Sequence, residues 1–325
     1  MRALSYSEFG RPGEVLAVHD APLPEPGPGQ VRVRTRFAPI HNHDLLTVMG
    51  RYGIRPELPA LAGSEAGGTI DALGAGVTGL EVGQRVSVGR GSGTWAEAFV
   101  VAAESAIPVP DALSDEQVAQ LGSMPFSAIS VLDSLGLAAG DWLVLNAGNG
   151  AVGRMVAQLA ESRVIGAVSL VRRADAVASL AAEGVPHAIA TDDDGWRDRV
   201  AEITGGSPIL GAIDSVGGAS AGELLSLLGT GGTLVVFGAM ESPALELAST
   251  DIIFKQLTVR GFWGTKVSAA TPAPRQRELF TELVERIVDG TVTLPVDHAY
   301  PLEQIAEAAA RNFAPGRAGK VLLQP

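Results

Sequence analysis

One segment of the chain, Asp141-Trp-Leu-Val-Leu-Asn-Ala-Gly148-Asn149-Gly150-Ala151-Val152-Gly153-Arg-Met-Val-Ala-Gln-Leu-Ala160, admits few folds. An apolar run feeds a glycine-spaced turn, and the turn feeds a helical pattern. A strand that delivers a tight turn into a helix N-terminus gathers free backbone N–H groups and the positive end of the helix dipole at one point. That arrangement suits a pyrophosphate. The glycine spacing alone is generic; its place between strand and helix carries the reading. The competing reading is a packing turn that binds nothing.

The chain beyond the turn extends the pattern. Strands at 142–146, 164–171, 188–190, 210–215, 233–238 and 257–262 alternate with helices at 152–162, 174–183, 196–204 and 221–228. Strict alternation at this spacing predicts a parallel sheet covered by helices on both faces. The first ~120 residues differ, with short β elements broken by Gly and Pro, including the alternating Val31-Arg-Val-Arg-Thr-Arg36 and a strand at 95–101. Helices are expected at 116–121 and 127–135. After the Pro-rich break Thr271-Pro-Ala-Pro274 come helices at 275–289 and 302–312 and a last strand at 320–324. The expected organisation is a mixed-β domain over 1–124 and 266–325, interrupted by a nucleotide-binding domain over 125–265.

Composition removes several function classes. Hydrophobic residues are 46% and charged residues 18% of the 325, so a large core is expected and disorder is not. A net charge of −12 argues against nucleic-acid and anionic-membrane partners. With no cysteine there is no disulfide, thiolate metal site or cysteine nucleophile. The first residues lack the apolar stretch of a signal peptide, and no apolar run approaches a membrane span, so a cytoplasmic location is expected.

The second strand of the alternating series ends Ser169-Leu-Val-Arg172-Arg173. An acidic residue at that distance past the turn would bind a ribose 2′-hydroxyl. Arginine there pairs instead with a 2′-phosphate, which predicts NADPH over NADH; the alternative is a pair of solvated arginines at a helix start. The turns Asp214-Ser-Val216-Gly-Gly218 and Phe237-Gly238-Ala-Met240 also follow apolar strands. They are candidate walls for the nicotinamide half.

These residues, with Ala38-Pro-Ile-His41-Asn-His43-Asp44, Gly50-Arg-Tyr52-Gly-Ile-Arg-Pro-Glu-Leu-Pro59, Gly93-Thr-Trp95-Ala-Glu97 and Arg260-Gly-Phe262-Trp263, resemble the medium-chain dehydrogenase/reductase superfamily. Within its zinc-free quinone-reductase branch they look most like mitochondrial-type 2-enoyl thioester reductases. The resemblance implies an α/β chain with a GroES-like mixed-β domain, a Rossmann doubly wound parallel-sheet domain, a cofactor cleft between them, and a homodimer formed through the nucleotide-binding domains. Zinc-dependent members place a cysteine where this chain has His41 and a histidine where it has Ser64, so no metal is expected. Two histidines two residues apart in extended chain point to opposite sides, which also disfavours joint ligation. Zinc-free members commonly carry Asn at the position of His41, so His41 is a departure.

Reducing an activated alkene takes a hydride for the β carbon and a proton for the α carbon, with negative charge building on the carbonyl oxygen between the two. Tyr52 matches the tyrosine proposed as proton donor in the resembling reductases; a phenol holds its proton at neutral pH and can both donate and orient. The alternative is that Tyr52 only shapes the pocket. The resemblance also puts Ser127 near the nicotinamide. Phe262 is assigned to the cofactor site, Trp263, Trp95 and His41 to the substrate pocket, and Lys320 to a cofactor phosphate, the bland alternatives being core packing and a solvated strand-end lysine. The leading expectation is an NADPH-dependent reductase of 2-enoyl thioesters or enones. Its rivals are an NADPH:quinone oxidoreductase and a non-enzymatic NADPH-binding sensor or structural protein.

Overall fold

The computed structural model describes every residue except Pro315 and Ala318. In chain order the strands are β1 (Arg2–Tyr6), β2 (Ala17–Asp20), β3 (Gln30–Pro39), β4 (Ala60–Leu61), β5 (Ala66–Leu73), β6 (Arg85–Val88), β7 (Ala98–Ala102), β8 (Ile107–Pro108), β9 (Trp142–Leu145), β10 (Gly166–Val171), β11 (Ala188–Ala190), β12 (Ile209–Asp214), β13 (Leu228–Val236), β14 (Thr258–Gly261), β15 (Val296–Pro301) and β16 (Lys320–Gln324). The chain divides into two compact units, Met1–Met124 with Leu294–Pro325, and Pro125–Thr293.

The first unit is mostly antiparallel β. Strand β3 is its spine, pairing with β5, β7 and β16, while β2-β1-β4 form a smaller sheet. The alternation read at 31–36 is real: Val31, Val33 and Thr35 are buried, while Arg32, Arg34 and Arg36 are not. These apolar positions join Leu4, Ile40, Ile70 and Trp95 in one core.

In the second unit six parallel strands run β11-β10-β9-β12-β13-β14, so counting from β9 the order is 3-2-1-4-5-6. That is the doubly wound order, and its direction reverses between β9 and β12, where ligands of such sheets bind at the carboxyl ends of the strands. The expected parallel α/β architecture is present.

The boundary between units falls later than expected. The Pro-rich stretch at 271–274 reads as a linker, but it starts a helix: Pro272 is the N-cap and Pro274 lies in the first turn of Ala273–Val288. That helix buries Leu279, Leu283 and Ile287, and Glu282 takes both ends of the Arg163 guanidinium at 2.8 Å. Residues 266–293 therefore belong with the parallel sheet, and the mixed-β unit resumes at Leu294. Strand β13 also begins earlier than the expected 233, at Leu228, with a register shift in its pairing to β12 before Thr233. Among the described residues no helix is long and apolar enough to cross a membrane.

Candidate active site

The predicted site residues fall into two groups, one in each unit. In the parallel unit the glycine turn links β9 to the helix Ala151–Ser162, with Gly150 as N-cap in extended conformation and no side chain capping the helix. Its first N–H groups are therefore free of side-chain partners, as an anion-binding terminus requires. Gly148 packs so tightly on β10 that a Cβ there would come within 2.7 Å of the Ser169 Cβ, and a Cβ on Gly153 within 2.7 Å of the Ala147 carbonyl. The glycines let the helix close onto the strand, while Asn149 and Gly150 stay exposed.

The switch point beside this turn is pinned by buried polar groups that sequence reasoning did not single out. Asn146, at the end of β9, donates to Asp214 Oδ1 (2.6 Å) and accepts from Ser215 N–H (2.7 Å). Asp214 in turn accepts from the N–H groups of Val216 (3.0 Å) and Gly217 (3.0 Å). The ends of β9 and β12 are thereby held together at the place a dinucleotide fold uses. Arg172 and Arg173 are exposed just past β10; Arg173 pairs with Asp175 at 3.1 Å, whereas Arg172 has no ion-pair partner among the described residues. Phe237 and Phe262 stack with ring centroids 5.5 Å apart, and Phe262 is nearly buried. Trp263 is 41% exposed, and Ser127 Oγ lies against Gly264, 3.1 Å from where a Cβ would stand.

In the mixed-β unit the chain turns at His41 into the helix Asn42–Val48. That turn corrects the expectation that the two imidazoles point apart: they stack, with centroids 4.9 Å apart and planes at 13°. His41 is buried, and its Nε2 meets Glu65 Oε2 at 2.5 Å. Ser123 N–H donates to the other Glu65 oxygen at 2.7 Å. Burial pushes Glu65 up to about 8, against the pull of Lys320 and of the Ser123 and Gly122 N–H groups. Burial also holds His41 well below its ordinary range, so the pair is neutral, with the proton on the carboxyl.

His43 carries a different network. Ser64 Oγ donates its single proton to Asp44 Oδ1 (2.7 Å), so the 2.8 Å contact between Ser64 Oγ and His43 Nε2 must have the imidazole as donor. Asp44 is itself held by the His41 backbone N–H at 3.1 Å. Burial lowers His43 despite Asp44. The ring is thus neutral with its proton on Nε2 and its Nδ1 lone pair free to accept. Tyr52 stands beside it, centroid to centroid 5.7 Å, partly exposed.

Two pocket assignments fail. Trp95 is fully buried, its Nε1 donating to Pro39 O at 3.2 Å, and is a core residue. His41, 1% exposed, offers no wall to a ligand, whereas the His43 side chain is 23% exposed. Lys320 is not a solvated strand end. It is half-buried near Glu65 and Asp44, and burial together with Arg317 brings it down to about 8. A nearby charge of either sign was invisible in sequence, because Asp44, Glu65 and Lys320 are far apart along the chain.

Family models match both units: an alcohol dehydrogenase GroES-like domain over residues 27–111 and a zinc-binding dehydrogenase over residues 151–286. The human mitochondrial enoyl-[acyl-carrier-protein] reductase is 32% identical over 99% of this chain and 88% of its own length. Among solved structures, a mycobacterial quinone oxidoreductase is 29% identical with a TM-score of 0.84, and a mycobacterial protein complexed with NADPH is 28% identical with a TM-score of 0.87; each pair covers 100% of both chains. The zinc in the second model's description does not fit the residues here. His41 is committed to Glu65 and His43 to Ser64, and among the described residues no three His, Asp or Glu side chains are arranged to hold a metal ion. The dinucleotide does fit: glycines that a Cβ would jam, an uncapped helix N-terminus and an unpaired arginine past the second strand.

Proposed function

The chain belongs to the medium-chain dehydrogenase/reductase family, in its quinone-reductase branch, and on that footing we propose that it reduces the carbon–carbon double bond of 2-enoyl thioesters. It is an NADPH-dependent oxidoreductase. The observation that carries the substrate class is the human enoyl reductase's match over 99% of the chain.

Bound NADPH supplies the hydride for the β carbon. The N–H groups at residues 150–153 would hold its pyrophosphate and Arg172 its 2′-phosphate, with Ser127, Val216, Phe237 and Gly238 toward the nicotinamide. Tyr52 gives its phenolic proton to the α carbon and regains one from solvent. The neutral His43 beside it, locked as the Nε2–H form by Ser64 and Asp44, offers an acceptor that orients the phenol without competing as an acid. Trp263 is the apolar wall for the acyl group.

A second reading, NADPH:quinone reduction, is favoured by the mycobacterial quinone oxidoreductase at 29% identity. It needs no dedicated acid. Following NADPH oxidation with crotonyl-CoA and with a simple quinone separates the two; turnover of the quinone alone discards the thioester reading.

We also infer a homodimer formed through the parallel unit. Strand β14 is a free sheet edge, and nearby Ile253 and Phe254, on the helix Ser249–Lys255, are 58% and 77% exposed. An open edge next to large exposed apolar side chains is a surface that a second copy would cover.

A further inference from the structure

We infer that Arg51, Arg55 and Arg90 form a phosphate-binding rim beside Tyr52, which takes the phosphate end of a phosphopantetheine thioester; this rests on the enoyl-thioester reading above. Within the mixed-β unit the other arginines are held by acidic or amide side chains. Arg51, Arg55 and Arg90 are exposed and have no ion-pair partner among the described residues, although Glu57 lies only two residues from Arg55. In a chain of net charge −12, exposed guanidinium groups without an ion-pair partner mark places where anions meet little repulsion.

A chain of contacts links the separate loops that carry these residues. Arg51 precedes Tyr52, whose ring is 5.7 Å from that of His43. His43 Nε2 lies 2.8 Å from Ser64 Oγ, and the Ser64 carbonyl accepts at 2.7 Å from the N–H of Gly91, the residue after Arg90, which ties that loop to the same network. Arg55 is not loose: its guanidinium sits 4.7 Å over the Phe9 ring. Gly50, at φ +68°, packs where a Cβ would come within 3.1 Å of Phe9, anchoring the start of the same loop. A stacked guanidinium keeps its N–H donors directed outward, the geometry that phosphate oxygens use. Exposed Ile54, between Arg51 and Arg55, adds an apolar surface for the pantetheine arm.

A thioester carried by pantetheine alone lacks the phosphate, and this makes the test internal. The kcat/KM for crotonyl-CoA should exceed that for crotonyl-pantetheine by about tenfold or more, carried in KM rather than kcat and reduced by added salt. In Arg51→Gln/Arg55→Gln/Arg90→Gln the ratio should fall to near one. Crotonyl attached to an acyl carrier protein, run alongside, checks the shared phosphate: a loss on both CoA and the carrier-protein substrate supports the rim, and a loss confined to the carrier-protein substrate overturns it, the arginines then meeting the protein rather than the phosphate. A wild type that reduces both small thioesters equally overturns the rim and leaves the function standing. So does a variant whose change lies in the KM for NADPH. A wild type that reduces no thioester overturns both.

Discussion

Glu65 shows how a residue's surroundings set a property that its identity does not. Its carboxyl is held up to about 8 by burial. Between the ordinary carboxylate value and that point the folded chain keeps a proton that the unfolded chain has lost. Stability therefore falls as pH climbs through this window, by at most about 1.4 kcal/mol per pH unit; the contribution is fully present below it and the loss complete above it. Glu65→Gln cannot ionise and can still accept from Ser123 N–H. Its melting temperature relative to wild type should rise steadily between about pH 5 and about 8, whereas a constant difference would mean Glu65 is ionised throughout. At position 172 the expectation concerns the cofactor. Arg172→Ala should lower kcat/KM for NADPH about 10- to 100-fold and leave NADH nearly unaffected, measured by steady-state kinetics with either nucleotide. Position 172 was legible as a place to look because the glycine turn specifies it. Glu65, Asp44 and Ser64 were not, because their roles arise from contacts between residues distant in sequence, and Trp95 was misassigned because an aromatic in a motif reads the same whether it lines a pocket or fills a core.

At the scale of elements, the strand–turn–helix unit was readable since its signals are local: apolar run, glycines, amphipathic helix. Gly148 makes the physical reason testable. Gly148→Ala brings a Cβ to 2.7 Å from Ser169 Cβ in a buried neighbouring strand, so strand or helix must shift. The variant should lose about 1–3 kcal/mol in denaturant unfolding and bind NADPH at least about tenfold more weakly by fluorescence titration. Unaltered binding would show that the turn does not meet the cofactor closely. Local signals also misled. Prolines at 272 and 274 read as a linker because proline breaks helices, yet at a helix start it has no hydrogen bond to break. The strand expected from 233 starts at Leu228, which pairs with Ile209 of β12, while residues 229–232 fall in the register shift before Thr233 meets Gly211. The stacking of His41 on His43 depended on a turn that nothing in four residues announces.

The whole molecule carries two further expectations. If the free edge of β14 and the side chains near it are covered by a second copy, Phe254→Arg should halve the mass seen by analytical ultracentrifugation and leave the far-ultraviolet circular dichroism unchanged. A wild-type monomer would remove that inference without touching the chemistry. The proposed chemistry is delivery of a hydride and a Tyr52 proton across an enoyl double bond. It is read most directly from NADPH oxidation by wild type and Tyr52→Phe, each with crotonyl-CoA and with a simple quinone. Wild type should turn over the thioester, and the variant should lose about 10²-fold or more in kcat for the thioester while changing little with the quinone. No thioester turnover by wild type, or an equal loss on both substrates in the variant, would contradict that chemistry.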